Sequence, residues 1–158
     1  RISSPSRKAV FYPLQTFTKE RDLSFDKLPF CIETANSKDQ NLLKELANAL
    51  GGVAHEFDSE KRALIHLIAV FMNNFGNQLL FLGSELSKKN KIPFHIFSPL
   101  IEETYQKALD NGPENSQSGP ALRRDQKTID KHLKMLTDKS LKKLYLNLTT
   151  SIQKKNER

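Results

Sequence analysis

Only one cysteine, Cys31, occurs in the chain. It has no partner for an internal disulfide, so nothing points to an oxidising compartment and a cytoplasmic location is expected. No uninterrupted apolar run reaches the roughly 18 residues of a membrane span, and the first twenty residues lack the apolar centre of a signal peptide. No membrane partner is therefore expected, and the sequon Asn147-Leu148-Thr149 is read as chance. Gly-x-Gly-x-x-Gly and P-loop patterns are absent, so these residues offer no phosphate cradle. A Gly-x-Ser-x-Gly nucleophile elbow is also missing. His55, His66, His95 and His132 show no metal-ligand spacing, and a lone cysteine adds no ligand set, so no metal is expected. The chain opens on Arg1 rather than Met, as an internal fragment or a processed chain would, and a fragment is the favoured reading.

What is present is 158 residues, 37% of them hydrophobic, enough for one domain or one domain with a piece of another. The net charge is +7, from 25 basic and 18 acidic side chains. The lysines are spread over several helical segments with acids between them, with Lys154-Lys155 a dense basic cluster at the C-terminal end. That is a solvated lysine surface, and no nucleic-acid partner is expected.

Residues 9–17 begin as a β-like run and break at Pro13, as a buried strand leading into a shaped loop does. Residues 28–34, Leu-Pro-Phe-Cys-Ile-Glu-Thr, form a second strand. Residues 38–50 carry Leu42, Leu43, Leu46, Ala47 and Leu50 on one helical face, stopped by Gly51-Gly52. Residues 53–57 form a third strand. The first 58 residues thus read β, β, α, β, and the rest reads as helices. Asp58 or Ser59 caps a long helix that runs to about Lys89. From Ala63 to Met72 every residue except His66 is apolar, which predicts a helix buried on most sides. Pro93 and Pro99 break the next stretch, and Ser98 is placed to cap a helix reaching Asp110. Residues 112–124 read as a loop. Asp125 and Asp138 cap two further helices, the second with Leu141, Leu144, Tyr145, Leu148 and Ile152 on one face. The composition shift at residue 58 is the expected domain boundary.

On the long helix, at about 100° per residue, Arg62, His66, Asn73, Asn77 and Ser84 fall on one narrow stripe and Asn74 sits off it, about 80° away. A buried polar group without a partner costs on the order of 1–3 kcal/mol, so such a row must face a ligand cleft or a satisfied structural network. Both readings stay open at this level. His66 is the best placed residue for proton transfer, since imidazole exchanges a proton near neutral pH. Arg62, one turn earlier, suits a carboxylate or phosphate. The segment Gln117-Ser118-Gly119-Pro120-Ala121-Leu122-Arg123-Arg124-Asp125 forms a rigid turn whose arginines suit an anion and whose Asp125 reads first as a helix cap.

Four stretches together resemble the proteins that carry the domain of unknown function numbered 2520. That family is similar in layout to prephenate dehydrogenases, pyrroline-5-carboxylate reductases and coenzyme-F420-dependent NADP oxidoreductases. Tyr12-Pro13-Leu14-Gln15-Thr16-Phe17 resembles its His-Pro-Leu-Gln-Thr-Phe segment, with Tyr12 where many members have His. Leu28 to Glu33 resembles its next strand. His66 to Phe75 resembles its His-Ala-Ala-Ala-Val-x-Ala-Ser-Asn helix. Ser118 to Asp125 resembles its Thr-Gly-Pro-x-x-Arg-x-Asp loop, with His132-Leu133 at the family's distance beyond.

The resemblance implies a mainly α chain: a short strand and helix segment forming the edge of a Rossmann-type sheet (residues 1–58), then an all-α helical bundle domain like the C-terminal domain of 6-phosphogluconate dehydrogenase (residues 59–158). It implies that the helical domain serves dimerisation, giving a homodimer, and covers the cleft for a small-molecule substrate. It implies NADP held by an N-terminal half absent from this sequence, so that this chain alone is inactive. Pro13, Gln15 and Thr16 are then expected near the cofactor and His66 and Asn74 at the catalytic position. Arg62, Asn73, Asn77, Arg123 and Asp125 are expected to contact substrate, Asn73 and Asn77 on the stripe geometry and Asn74 on the motif. The alternative expectation is a non-catalytic helical dimerisation or nucleotide-sensing module, with His66 and Asn74 packed against apolar side chains and no cleft beside them.

Overall fold

A computed structural model describes residues 7–20 and 22–155. The order of elements is β1 (Ala9–Pro13), β2 (Pro29–Thr34), α1 (Ser37–Ala49), β3 (Val53–Glu56), α2 (Ser59–Ala69), a π-helical segment (Val70–Phe75), α3 (Gly76–Lys89), a 3-10 turn (Phe94–Phe97), α4 (Ser98–Asn111), α5 (Pro113–Ser116), α6 (Gln126–Met135) and α7 (Lys139–Lys155). The chain is mainly helical, with one small three-stranded sheet near its N-terminal end, as expected.

β2 is the central strand. It pairs antiparallel with β1, setting Phe11 opposite Ile32 and Tyr12 opposite Cys31. It pairs parallel with β3, setting Phe30 opposite Ala54. Phe30, Cys31 and Ile32 are consecutive and all buried, so both faces of this strand are covered there, which is why it reads as a continuous apolar run. Pro13, which has no N–H to donate, ends β1, where a missing donor is tolerated.

The side chain of Asn36 caps α1 by accepting from the Lys38 N–H at 2.9 Å. Gly51 ends it at φ +84°, the left-handed conformation glycine adopts without strain. The core of this part is Leu28, Phe30, Ile32 and Ala47, with Phe11, Leu23, Leu43 and Ala54 packed on it. Of the five apolar positions expected on the inner face of α1, only Leu43 and Ala47 pack there. Leu42, Leu46 and Leu50 are exposed, because the sheet is narrow and meets one row of the helix.

The compact units divide between Leu86 and Ser87, inside α3 and not at the composition shift at residue 58. In the second unit Ala121, Ile129 and Thr149 are buried. α6 is tied to α7 by the His132 Nδ1–Tyr145 hydroxyl contact at 2.9 Å, with the two rings edge to face. Thr149 takes the inward place on α7 that Leu148, which is exposed, was expected to hold. Phe97, not Ser98, precedes the first turn of α4, and the loop expected over residues 112–124 contains the short helix α5.

The long helix departs from expectation. It runs 31 residues from Ser59 to Lys89, capped by Asp58, whose Oδ1 accepts from the Lys61 N–H at 2.8 Å. Its apolar residues are not buried: Leu64, Leu67, Ile68, Phe71, Met72 and Phe75 all stand exposed. The prediction of burial assumed that an all-round apolar helix is surrounded, and the first unit supplies no surrounding layer. By length and composition this helix is long and apolar enough to cross a membrane, which a count of uninterrupted apolar residues does not reveal. It also carries His66, Asn73, Asn74, Asn77 and Gln78, polar groups that hydrocarbon would leave unsatisfied.

Candidate functional site

In the first unit, the turn after β1 and the middle of the long helix face each other across a cleft of about 660 Å³. One wall is Tyr12 with Leu14, Gln15, Thr16 and Phe17. The other is Ile65, His66, Ile68, Ala69, Val70, Met72, Asn73 and Asn74. The loop wall is shaped locally. The Leu14 N–H donates to the Pro29 carbonyl at 2.9 Å, the Gln15 N–H returns to the Pro13 carbonyl at 3.0 Å, and Gln15 Oε1 accepts from the Thr16 N–H at 2.9 Å.

The helix wall depends on the π-helical segment. A π turn closes i→i+5 bonds and so turns less per residue than an α turn. Starting at Val70, it swings Asn74 back from its α-helical azimuth toward that of His66. Asn74 therefore lines the cleft, and Asn73 lines it as well. The stripe geometry, computed for an unbroken α-helix, excluded Asn74. Asn77, beyond the segment, is exposed and does not line the cleft.

His66, Asn73 and Asn74 are exposed rather than buried. Among the described residues, no buried side-chain nitrogen or oxygen lacks a hydrogen-bond partner. The reasoning that a buried polar row needs a ligand therefore does not apply as stated, since the row is wet and opens on a cleft. The sign expected of a non-catalytic module, His66 and Asn74 packed with no cleft beside them, is not what this unit has.

Arg62 does not join the cleft. Its guanidinium is bonded to the Glu33 carboxylate and donates to Ser59 Oγ at 3.2 Å, while Ser59 donates to both Glu33 oxygens at 2.9 and 3.0 Å. It lines a separate hollow of about 400 Å³ with Lys8, Glu33 and Ser59. An Arg one turn before His66 on the same stripe is captured by an acid 29 residues earlier, a pairing the helix pattern does not contain. Pro13 closes β1 and does not line the cleft, whereas Gln15 and Thr16 do.

Arg123 and Asp125 belong to the second unit. Asp125 is the cap of α6, accepting from the Thr128 N–H at 3.0 Å and the Thr128 hydroxyl at 2.7 Å. The Thr128 hydroxyl and then its N–H hold the Asp125 carboxyl below the usual carboxylate range, with smaller help from Arg123 and Lys127. Arg123 is exposed. Among the described residues no cluster of three or more His, Cys, Asp or Glu is placed to hold a metal.

Sequence reasoning did not select Tyr12, Leu14, Phe17, Ile65, Ile68 or Met72 as site residues. For the loop residues the signal was adjacency to Gln15 and Thr16. For the helix residues, one, two and six positions from His66, helical spacing gave no signal.

A βαβ-containing sheet followed by helices, with a cleft between the first strand's exit and the long helix, defines a mainly α domain with a small mixed sheet. The chain belongs to the family described as Domain of unknown function (DUF2520), matched over residues 28–152. It is similar to a crystal structure of a candidate NADP oxidoreductase from Bacteroides fragilis, with 41% identity and a TM-score of 0.87 over 92% of this chain and 57% of that one. It also shares its fold with a Thermotoga maritima protein, at 20% identity and a TM-score of 0.71 over 95% of this chain and 63% of that one. The chain thus spans less than two thirds of the length of either structure. No curated protein matches it.

Proposed function

We propose that these residues form the C-terminal portion of an NADP-dependent oxidoreductase acting in the cytoplasm, in which residues 1–58 complete a Rossmann-like sheet and residues 59–158 serve dimerisation and the substrate cleft. The observation that carries this reading is the cleft itself: His66, Asn73 and Asn74 on one wall opposite Gln15 and Thr16 on the other. Similarity to the Bacteroides fragilis protein supports the reaction class and the choice of NADP.

The donor set fits the amide-bearing ring of a nicotinamide, with amide and hydroxyl groups on Gln15 and Thr16 beside aliphatic walls. The dinucleotide's phosphates have no glycine-rich turn to rest on in these residues. They would be held by residues outside the 158. When bound, the cofactor supplies hydride chemistry. The chain's own part is to seat a small substrate, to exchange a proton at the His66 imidazole and to hold the reacting oxygen or nitrogen by the Asn74 amide.

Dimerisation rests on the exposed face formed by Leu64, Leu67 and Phe71 at i, i+3 and i+7 of the long helix, none of which lines the cleft. The test is titration of the full-length protein with NADPH, followed by fluorescence. Saturable binding is expected, and His66→Ala and Asn74→Ala should keep that binding while lowering NADPH oxidation against a panel of carbonyl and imine compounds by about 10²–10⁴-fold. Absence of NADPH binding overturns the proposal.

A further inference from the structure

Among the described residues, every polar side chain on the walls of the cleft is uncharged or an imidazole: Tyr12, Gln15, Thr16, His66, Asn73 and Asn74. The remaining wall is aliphatic or aromatic, with Leu14, Phe17, Ile65, Ile68 and Met72 prominent. The cation nearest in sequence to His66 on its own stripe, Arg62, is committed to Glu33 and Ser59 and opens on a different hollow. Within this unit, an anionic group entering the cleft meets no fixed counter-charge among the described residues, so nothing there offsets the water it gives up where it touches the apolar walls. A carbonyl, amide or hydroxyl meets matched donors and acceptors there, and an apolar body meets apolar walls.

Resting on the reading that this cleft seats the substrate, we propose that the substrate is uncharged where it enters: an apolar, ring-sized or branched body bearing a carbonyl, amide or hydroxyl group, and not a carboxylate, phosphate or ammonium. The electrostatics make this a matter of exclusion as well as attraction, since charged competitors are rejected by the lack of a partner for them.

The experiment uses full-length protein with NADPH present, so that the cofactor's own position is filled. Cyclohexanone is compared with cyclohexanecarboxylate and cyclohexylammonium by chemical-shift titration of the Asn73 and Asn74 side-chain amides and the His66 ring. Cyclohexanone is expected to move these signals with a Kd at least about tenfold lower than either charged probe. Tighter or equal binding of the carboxylate at the same signals overturns the uncharged class while leaving the cleft as the substrate site. If no probe moves the signals, the cleft is not a substrate site and both readings fall. Met72, a 72%-exposed wall residue, gives the reciprocal check. Met72→Arg adds a cation to the wall with little cost to the fold and should shift the preference toward cyclohexanecarboxylate by about tenfold or more. If it recruits no carboxylate, charge does not govern entry and the proposal fails.

Discussion

Gly52 stands where the chain leaves α1 and drops into β3 beside β2. A Cβ added there would come within 2.6 Å of the Leu28 carbonyl oxygen and press into the Phe30 ring. Neither can retreat. The Leu28 carbonyl accepts the Val53 N–H at 2.8 Å, and Phe30 is buried between Phe11 and Phe25 with ring centroids 4.5 and 6.3 Å away. Gly52→Ala is expected to lower stability by about 1–3 kcal/mol, read from the urea midpoint. Asp125 illustrates a different dependence. Its carboxyl is held below the ordinary value by the Thr128 hydroxyl and N–H. A folded-state pKa below the unfolded one contributes stability above the unfolded value of about 3.9, and that contribution is lost as pH falls through the lowered one. Asp125→Asn should therefore flatten the fall of the unfolding midpoint with acid, and a midpoint curve parallel to the wild type would show that the cap does not titrate in this way.

At the scale of elements, the π-helical segment decides which side chains reach the cleft. Deleting Phe71, which does not line the cleft, would let the helix close as a regular α-helix and leave Asn74 seven residues after His66, still near its azimuth. The far-UV helix signal and the ligand-induced shifts of the Asn74 amide should therefore both persist. Loss of those shifts would mean that the segment does more than set the angle of Asn74. The strands, the caps at Asp58, Asp125 and Asp138 and the stop at Gly51 were legible because each depends on neighbours within a few residues. Capping oxygens, positive φ and apolar runs leave local marks. The role of Arg62 was not legible, because Glu33 lies 29 residues earlier and reaches it only after β2 and α2 are placed. Asn74 was misplaced because periodicity assumes one constant angle per residue, and the helix changes that angle at Val70. The burial expected of the long helix failed because composition registers what a helix can pack against, not whether these residues provide it.

At the scale of the molecule, the long helix presents Leu67 and Phe71 to solvent at 52% and 63% exposure, a face that water disfavours and a second apolar surface would cover. Light scattering of the full-length protein is expected to give a dimer. Leu67→Glu with Phe71→Glu should shift it toward monomer and leave the cleft intact, and an unchanged dimer would locate the contact elsewhere. Beneath the sheet, Cys31 is only 2% exposed on the central strand, and burial pushes its thiol up against the opposing pull of Arg62. Since only the thiolate attacks a labelling reagent, this sulfur stays silent while β2 keeps its neighbours. With no second cysteine to confuse the signal, the speed at which a dye labels it becomes a clock for how often the strand at the centre of the first unit comes apart.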